Sequence, residues 1–227
     1  MDDVLAYEAG VFIGDGNLYV NERMNRVTYS GNLENEEDFY EKVLSSILKQ
    51  AYGIQPRLYR RVSDNSVLLV INSKRIVQEK ISIGFKAGNK REIRIPANIR
   101  DDDRCLKECL AGIGDTDFSL SFKKNRNGIY TEPRLELFTF SPNLAKDIQQ
   151  ALIKLGFRCS FEAKERRGYQ EFRIRMYGKK NLERWIREIG FKNLYILAKL
   201  NFWKKFGYFV PKKNYAFYAD KSASPSG

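Results

Sequence analysis

The sequence predicts an α+β protein made of two pseudo-symmetric αββαββα repeats, with one helix of each repeat packed at the centre of the molecule. Three observations support this fold class. Two short helical runs rich in small residues, YEAGVFIGDG and LAGIGDTDF, each place an aspartate at the corresponding position, Asp15 and Asp117. The two aspartates lie 117 − 15 = 102 residues apart. The elements predicted after each aspartate follow in the same order, and two copies are too few for a solenoid.

The first repeat is predicted from hydrophobic periodicity and from its glycine and turn residues. Gly14 and Gly16 are expected to end the first helix, because glycine tolerates the backbone conformation of a helix exit. The predicted elements are a helix over residues 2–13, strands over 17–21 and 26–30, a helix from 34 that stops at 53, strands over 57–62 and 66–71, and a helix over 73–83.

The second repeat is predicted in the same way, and Pro142 marks the first position of its second helix. Its elements are a helix over residues 101–115, strands over 119–124 and 134–140, a helix from 142 to 155, strands over 158–164 and 169–177, and a helix over 181–189. The domain boundaries that follow are residues 1–85 for the first repeat, 86–100 for a polar linker, 101–192 for the second repeat, and 193–227 for a C-terminal extension with a flexible tail.

The composition narrows the classes of function. The chain carries 40 Lys and Arg against 28 Asp and Glu, a net charge of +12, interleaved with 13 Tyr and 15 Phe. A folded, basic and aromatic-rich protein is typical of polyanion binding. The absence of histidine excludes Ser-His-Asp and Cys-His triads and zinc sites built on imidazole. Any hydrolysis must therefore depend on carboxylates, lysines and a hard metal ion.

The predicted location is intracellular, cytoplasmic or organellar in a eukaryote. Three cysteines, Cys105, Cys109 and Cys159, are too few and too uneven for a disulfide framework and fit a reducing compartment. The acidic start MDDVLAYEAG lacks the apolar run of a signal peptide, and no stretch is long enough to span a membrane. The end, ADKSASPSG, is predicted to be a flexible tail.

The small residues of the two aspartate-bearing helices predict that these helices pack closely. They are Ala6, Ala9, Gly10 and Gly14 in the first copy, and Ala111, Gly112 and Gly114 in the second. Close packing brings the C-terminal ends of the helices together, and with them Asp15 and Asp117. A carboxylate is disfavoured at a helix C-terminus, and two adjacent carboxylates repel each other. A divalent cation such as Mg²⁺, which prefers oxygen ligands, relieves both problems.

The strands predict a binding surface for double-stranded DNA, because alternating polar side chains share one face of an antiparallel sheet. A two-stranded ribbon fits the major groove, where Arg, Asn and Gln read base edges. Each position alone is typical of a solvated face, and the prediction depends on the pattern. The residues predicted to contact DNA are Asn17, Tyr19, Asn21, Arg23, Arg26, Arg57, Tyr59, Arg60, Arg61, Ser119, Ser121, Lys123, Asn125, Arg134, Lys164, Arg166, Arg167, Tyr169, Arg173 and Arg175.

Several segments together resemble those of a known family. The two motifs YEAGVFIGDGNLY and CLAGIGDTDFSLSF, the turn YSGN and the helix starts NSKRIV and YGKKNL are similar to those of single-chain, two-repeat LAGLIDADG homing endonucleases of the archaeal intron-encoded type. The resemblance covers about residues 4–192. A GDG tripeptide alone would be a weak signal, whereas two motifs with matched downstream elements are a strong one.

The resemblance implies a site-specific endonuclease that cuts double-stranded DNA across the minor groove and leaves short 3′ overhangs. It implies that Asp15 and Asp117, with the preceding Gly14 and Thr116, bind the metals and position the attacking water. Lys74 and Lys179 match basic residues near the scissile phosphates. The implied cofactor is Mg²⁺, with Mn²⁺ as a substitute and Ca²⁺ bound without supporting cleavage. A monomer is expected, since one chain carries both halves.

Two positions depart from the family pattern. Phe118 stands where glycine is usual, so a positive φ at that position would strain its backbone. Asp115 stands where an earlier motif acid often lies, and we expect it to be a helix-end residue and not a metal ligand.

Two alternative functions share the predicted fold. One is an RNA maturase that uses the same surface to help an intron fold. The aromatic and basic residues from Asn201 onward would suit RNA stacking, but we expect them to pack over the second repeat. The other is a non-catalytic DNA-binding protein, which loss of a motif acid would signal. An intein domain is disfavoured because no splicing segment flanks the repeats.

Overall fold

The computed structural model describes residues 2–166, 168–211 and 213–223. These residues form two αββαββα units, each with a four-stranded antiparallel sheet, followed by two further helices. The predicted α+β fold with two repeats is confirmed. Within the described part of the chain, no helix combines the length and apolar character that crossing a membrane requires.

The first unit agrees with its predicted order, with boundaries shifted by a few residues. Its second helix is continuous but contains a π-helical turn in the middle. The elements are α1 (Asp3–Asp15), β1 (Gly16–Val20), β2 (Asn25–Asn32), α2 (Leu33–Asp38), the π-helical turn Phe39–Leu44, α3 (Ser45–Tyr52), β3 (Arg57–Arg61), β4 (Ser66–Asn72) and α4 (Lys74–Ser82).

The second unit repeats this order and is followed by the C-terminal extension. A 3₁₀ turn, Lys90–Glu92, and a short helix connect the units. The elements are α5 (Ala97–Arg100), α6 (Asp103–Thr116), β5 (Phe118–Lys124), β6 (Tyr130–Thr139), α7 (Pro142–Lys154), β7 (Ser160–Arg166), β8 (Tyr169–Tyr177), α8 (Lys179–Glu188), α9 (Leu194–Phe206) and α10 (Tyr215–Ala223).

The two sheets have the same topology. The first has the strand order β1-β2-β4-β3 and the second β5-β6-β8-β7, so the two central strands of each sheet come from different hairpins. Alternation along the strands gives each sheet two distinct faces. One face of the first sheet buries Val27, Tyr29, Leu69 and Ile71 against the helices. The other face is free of helices and carries the polar positions.

Helices α1 and α6 cross at glycines in close backbone contact. A Cβ added at Gly10 would lie 2.0 Å from the carbonyl oxygen of Cys109, and one added at Gly112 would lie 2.2 Å from that of Tyr7. Any side chain at either position would force the helices apart. Gly14 is small for a related reason, since a Cβ there would lie 2.1 Å from the Thr116 hydroxyl. These three glycines make the predicted close approach possible.

The reason why glycines stand at the end of α1 differs from the predicted one. Gly14 is helical, and Gly16 has φ −77° and ψ 152°, an extended conformation open to any residue. The expectation that these glycines supply a special helix-exit backbone is wrong. Their small size is needed instead, because a Cβ at Gly16 would lie 2.2 Å from the Phe12 ring.

Phe118 is unstrained because the repeats have exchanged a large residue and a small one. In the first repeat Phe12 is the large residue and Gly16 the small one. In the second repeat Gly114 stands where Phe12 would be, and Phe118 stands where Gly16 would be. A Cβ at Gly114 would lie 2.6 Å from the Trp185 ring, and the ring centroids of Phe118 and Trp185 are 5.2 Å apart. Among the described non-glycine residues only Asn65 has a positive φ.

Gly114 therefore has a different role from the one predicted for it. It makes room for Trp185 of α8, not for the crossing of α1 and α6.

The segment predicted as a polar linker is anchored by side-chain contacts. Arg94 donates from Nε and Nη2 to the buried carboxylate of Asp147 on α7, at 3.2 and 2.9 Å. Arg100 donates to the same carboxylate at 3.1 Å. Ile95 and Ile99 are fully buried in the core. The connection between the repeats therefore has a defined path past the centre of the molecule.

The C-terminal extension packs on the second repeat through its aromatic residues. The Phe209 ring stacks on Phe122 of β5 at 4.7 Å, and the Trp203 indole donates to the Thr131 carbonyl at 2.9 Å. Helix α10 includes residues 219–223, so the prediction of a flexible tail is wrong for these five residues. Residues 224–227 of the predicted tail lie outside the described residues.

We expect Phe118→Gly to destabilise the protein. If glycine were required for backbone conformation, this change would relieve strain. Because Phe118 is buried against Trp185, its removal leaves a cavity that costs about 3–5 kcal/mol of unfolding free energy, plus about 1 kcal/mol of glycine backbone entropy. Chemical denaturation measures the change.

Phe140→Gly is the matched control, since this phenylalanine is 51% exposed. Its loss should cost only the smaller, backbone part. Equal stability of the wild-type and Phe118→Gly proteins would contradict the packing argument.

Candidate active site

The ends of α1 and α6 bring the two motif aspartates together. A Cβ built on Gly14 would lie 3.2 Å from the carboxyl carbon of Asp117, so the second aspartate faces the end of the first helix. Asp15 is the last residue of α1, and Asp117 directly follows α6. Both are half-buried. The Tyr40 hydroxyl, from the π-helical turn, donates to Asp15 Oδ2 at 2.7 Å.

Burial makes both carboxylates hard to ionise. Desolvation raises the pKa of Asp15 well above its ordinary value, and the negative charges of Glu36 and Asp117 add to the effect, while the Tyr40 hydrogen bond opposes it. Desolvation raises the pKa of Asp117 to about 6, with Lys90 acting in the opposite direction. Two carboxylates with raised pKa values, at the negative ends of two helices, form a site that favours a cation.

Lys90 lies beside the two aspartates and was not predicted as a site residue. Its ammonium donates to the carbonyl oxygens of Phe12, Ile13 and Gly14 at 3.3, 3.1 and 2.6 Å. These carbonyls lie in the last turn of α1, where helix carbonyls run out of backbone donors, and that of Phe12 also accepts from the Gly16 N–H. Burial lowers the pKa of Lys90, and the charges of Asp117 and Asp15 raise it. Only the fold brings this residue of the connecting segment to the centre.

Lys74 and Lys179 lie at the first positions of α4 and α8, where the sequence places them. Both side chains are exposed, and Lys179 forms an ion pair with Glu183 at 3.7 Å. The charged group that acts most on the pKa of Asp15 is instead Glu36, followed by Asp117, and the one that acts on the pKa of Asp117 is Lys90. A role for Lys74 and Lys179 near a scissile phosphate stays a prediction.

Asp115 is fully engaged in structural hydrogen bonds. It accepts from the Tyr7 hydroxyl at 2.6 Å and from the backbone N–H groups of Lys192 and Asn193 at 2.9–3.0 Å. Burial raises its pKa to about 6. Its carboxylate joins α1, α6 and the start of the extension, in keeping with the role expected for a helix-end residue.

The helix-free face of the first sheet carries most of the polar residues predicted there. The pairing register places six of them on this face: Asn17 and Tyr19 on β1, Arg26 on β2, and Arg57, Tyr59 and Arg61 on β3. Within the described part of the chain, Arg57 and Arg61 form no ion pair. This face therefore presents free positive charge.

Arg60 is on the opposite face, and its prediction as a DNA-contacting residue is wrong. It lies between Tyr59 and Arg61, and successive side chains of a strand point to opposite faces. Arg60 pairs with Glu37 of α2, and with Glu41 of the π-helical turn at 2.8 Å. The unbroken run of polar residues Tyr59, Arg60 and Arg61 gives no sign of this alternation in the sequence.

Three predicted contact residues lie in the loops that join the strand pairs. The Asn21 side chain accepts from the backbone N–H groups of Arg23 and Met24 at 2.9 and 2.7 Å. The Asn125 side chain accepts from those of Asn127 and Ile129 at 2.9 and 3.0 Å. Both asparagine oxygens therefore shape turns. Arg23 is exposed at the tip of the first loop.

The helix-free face of the second sheet carries an ion-pair lattice that was not predicted. All the described strand residues predicted there share this face: Ser119, Ser121, Lys123, Arg134, Lys164, Arg166, Tyr169, Arg173 and Arg175. Glu136, Glu162 and Glu171 share it too. Arg175 pairs with Glu136, and with Glu162 at 2.7 Å. Glu171 pairs with Arg173 at 2.9 Å and with Arg166 at 3.1 Å.

The lattice changes the predicted character of this surface. It holds arginines by fixed hydrogen bonds and neutralises part of their charge. The second sheet therefore presents less net positive charge than its predicted contact residues alone would give. Arg167, also predicted to contact DNA, lies outside the described residues.

Comparison with solved structures identifies the architecture. The homing endonuclease I-DmoI in complex with DNA and Mn superposes with a TM-score of 0.58 and 17% identity, covering 83% of this chain and 96% of that one. The I-LtrWI LAGLIDADG homing endonuclease bound to target DNA gives 0.58 and 10%, covering 90% and 89%. The N-terminal LAGLIDADG domain of DUF199/WhiA gives 0.54 and 13%, covering 83% and 82%.

The chain has the two-repeat LAGLIDADG fold. Two of these solved structures are LAGLIDADG homing endonucleases, the family that the sequence resembles.

Sequence comparison adds one relative. The chain is 24% identical over 196 residues to a replication factor C small subunit of Thermococcus kodakarensis. The match covers 85% of this chain and 20% of that protein, so the chain spans about a fifth of the relative's length. No protein-family model matches the chain.

The centre of this LAGLIDADG fold suits a divalent cation that is shared with a substrate. Within the described residues, no group of three or more His, Cys, Asp or Glu side chains is arranged to hold a metal. The donors present are the two raised-pKa carboxylates of Asp15 and Asp117 and the carbonyl of Gly14. Mg²⁺ typically takes one or two carboxylates and completes its shell with phosphate and water. The donor set fits that pattern.

A cleft opens beside the aspartates on the side of the second sheet. It has a volume of about 450 Å³ and is lined by Gly14, Lys90, Arg91, Asp117 and Tyr169, among others. Arg91 lies over the Tyr169 ring, 4.0 Å from its centroid. The cleft therefore reaches the Asp117 carboxylate beside two basic residues, Lys90 and Arg91.

The residues missed at the centre of this LAGLIDADG fold are Lys90, Tyr40 and Glu36. Glu36 accepts from Asn193 Nδ2 at 3.2 Å, which ties the first repeat to the extension. Tyr40 lies in an apolar helical stripe, and such a stripe predicts a residue of the hydrophobic core. No local sequence signal marks Lys90, because its role depends on the path of the connecting segment.

We expect Asp117→Asn to stabilise the metal-free protein at neutral pH. Folded Asp117 binds a proton more tightly than unfolded Asp117, so its contribution to stability falls as the pH rises from about 4 to about 6. The asparagine variant removes that penalty. Allowing for solvent screening, we expect a gain of ~1 kcal/mol at pH 7.5 in EDTA, vanishing near pH 4.

Denaturation curves across this pH range measure the effect. Asp103→Asn, at the exposed start of the same helix, serves as the control and should show no such gain. A loss of stability for Asp117→Asn at pH 7.5 would mean that its ionised form stabilises the fold.

Proposed function

We propose that this protein is a site-specific endonuclease that hydrolyses double-stranded DNA with a divalent metal ion. The observation that carries the proposal is the pair of half-buried carboxylates, Asp15 and Asp117, at the adjoining ends of α1 and α6. Their pKa values are raised, and each directly precedes the first strand of one sheet. Solved structures of the same fold contain target DNA, which supports this reading.

The proposed metal ligands are Asp15 and Asp117, with Gly14 and Thr116 beside them. A bound ion would stabilise charge on the attacking and leaving oxygens of the phosphodiester. The carboxylates orient the attacking water, and Tyr40 holds Asp15 in place by its hydrogen bond. Lys74 and Lys179 are proposed to approach the phosphates from the starts of α4 and α8.

Mg²⁺ is the proposed cofactor, Mn²⁺ a substitute, and Ca²⁺ an ion that binds without supporting cleavage. Complexes of I-DmoI or its variants with target DNA have been solved in the presence of Mn, Ca and Mg. Those metals are compatible with an all-oxygen site such as this one.

The proposed substrate is a long target duplex that lies along both helix-free faces and is cut with short 3′ overhangs. Each sheet reads one half of the target through the side chains that share its outer face. Their arginines match guanine edges, and Asn17 of the first sheet matches an adenine edge. Because one chain supplies both halves, we propose a monomer.

The maturase alternative is not favoured. The aromatic residues after position 201 that suggested RNA stacking include Trp203 and Phe209, which pack on the second repeat. The non-catalytic alternative would be signalled by loss of an acid, and both acids are present. An intracellular location is proposed because the three cysteines are too few and too uneven for a disulfide framework.

The endonuclease proposal is tested by selecting bound duplexes from a long randomised pool in Ca²⁺ and then adding Mg²⁺. We expect staggered cuts at one fixed place in the selected sequence. Asp15→Asn or Asp117→Asn should slow cleavage at least about 10²-fold, as loss of one charge-stabilising group does, while leaving binding nearly unchanged. Specific binding without cutting by the wild-type protein would favour a regulator, and no enrichment would direct the search to structured RNA.

The DNA surface is tested with two neighbouring arginines on opposite faces of β3. Arg61→Ala should weaken binding to a 30-bp duplex and lower the slope of log K against log salt by about 1, since one phosphate contact is lost. Arg60→Ala, the matched control, should leave both unchanged, because Arg60 pairs with Glu37 and Glu41 on the helix side. Fluorescence anisotropy over a series of KCl concentrations measures both, and equal slopes for the two variants would place DNA elsewhere.

A further inference from the structure

The carbonyl end of α1 is already occupied by a positive charge from the protein itself. The Lys90 ammonium donates to three successive carbonyls, and the shortest contact, 2.6 Å, is to Gly14. Its charge also acts on both Asp15 and Asp117. The negative helix end and the two carboxylates are the features that would attract a divalent cation, so Lys90 stands where that ion is needed.

The connecting segment holds Lys90 firmly in this position. The Asn89 side chain accepts from the Arg91 N–H at 2.9 Å and caps the short turn that Lys90 begins. A few residues later, Arg94 is fixed by two hydrogen bonds to Asp147, and Ile95 is fully buried. The backbone is therefore anchored on both sides, while the long side chain of Lys90 stays free to change its rotamer.

We propose that Lys90 is the resident cation of the metal-free centre and that a divalent ion at Asp15 and Asp117 displaces its ammonium. This inference rests on the proposed metal site. An ion bound to the Gly14 carbonyl lies about 2.0–2.5 Å from that oxygen. The ammonium is 2.6 Å from the same oxygen, so the two cations would repel strongly in a half-buried site.

The neighbouring cleft has room for the displaced side chain. The cleft of about 450 Å³ includes Lys90, Arg91 and Asp117 in its lining. A lysine that leaves the helix end and turns into this cleft carries its charge toward the side from which a phosphate reaches the carboxylates. Metal binding would thus add a positive charge to the substrate side of the centre.

In the described part of the chain, no lysine occupies the end of the second motif helix in this way. At the end of α6, the Asp115 carbonyl accepts from the neutral amide of Asn193 at 2.8 Å. The two halves of the centre are therefore unequal, with a lysine on the α1 side and an asparagine on the α6 side. We therefore expect a divalent ion that binds at the end of α1 to compete with the Lys90 ammonium.

The first test titrates the DNA-free protein with Mn²⁺ and follows free Mn²⁺ by electron paramagnetic resonance. Lys90→Met should bind about ten-fold more tightly than wild type, since one neighbouring charge shifts a carboxyl's proton affinity by roughly one to three pKa units. Lys86→Met is the matched control, because Lys86 belongs to the same segment but is exposed and pairs with Glu92 at 2.9 Å. It should bind like wild type, and Asp15→Asn should bind much more weakly.

The second test needs no variant and so does not depend on how Lys90→Met folds. Lysine acetylation followed by mass spectrometry reports how accessible each ammonium is. Lys90 should react slowly in EDTA and clearly faster in saturating Mn²⁺, whereas Lys86 should react at one rate in both.

The outcomes separate this inference from the proposed function. The displacement alone would be overturned if Asp15→Asn weakened Mn²⁺ binding while Lys90→Met bound Mn²⁺ like wild type. Unchanged labelling of Lys90 alongside weakened binding by Asp15→Asn would overturn it too. Equal binding by wild type, Lys90→Met and Asp15→Asn would overturn the metal centre and the displacement together.

Discussion

The close crossing of α1 and α6 is the constraint on which the rest of the molecule depends. Gly10 and Gly112 allow the two backbones to touch, and nothing larger fits at either position. The crossing joins the repeats and also forces their helix ends, and hence Asp15 and Asp117, into one small volume. The contact that holds the fold together therefore creates an electrostatic problem at its centre.

Several interactions moderate that problem without removing it. Tyr40 donates to Asp15, and Lys90 neutralises the carbonyl end of α1. The pKa values of both aspartates nevertheless remain raised, because burial outweighs these contacts. A divalent cation would relieve the electrostatic repulsion between these two carboxylates. The close packing that creates the repulsion is therefore directly related to the chemistry proposed for the aspartates.

The two repeats have diverged within the same topology. The first sheet presents Arg57 and Arg61 without ion pairs in the described part of the chain, whereas the second holds Arg173 and Arg175 in a lattice with glutamates. Arginines fixed in this way lose less conformational freedom on meeting a ligand but must exchange existing partners. The two halves of a target would therefore be read with different balances of charge and geometry.

The sequence by itself determined the duplication, the two central aspartates and most strand faces, because helix and strand periodicity and turn residues are local properties. It placed Arg60 on the wrong face of β3, because Arg60 has the same charge as Arg61 although its side chain points to the opposite face. Only the tertiary structure decided that Lys90 meets the helix end, that Gly114 and Trp185 accommodate Phe118, and that glutamates pair with the arginines of β8. Apart from the Glu171–Arg173 pair within β8, these contacts join residues far apart in the chain, and local periodicity carries no information about which distant side chains will meet.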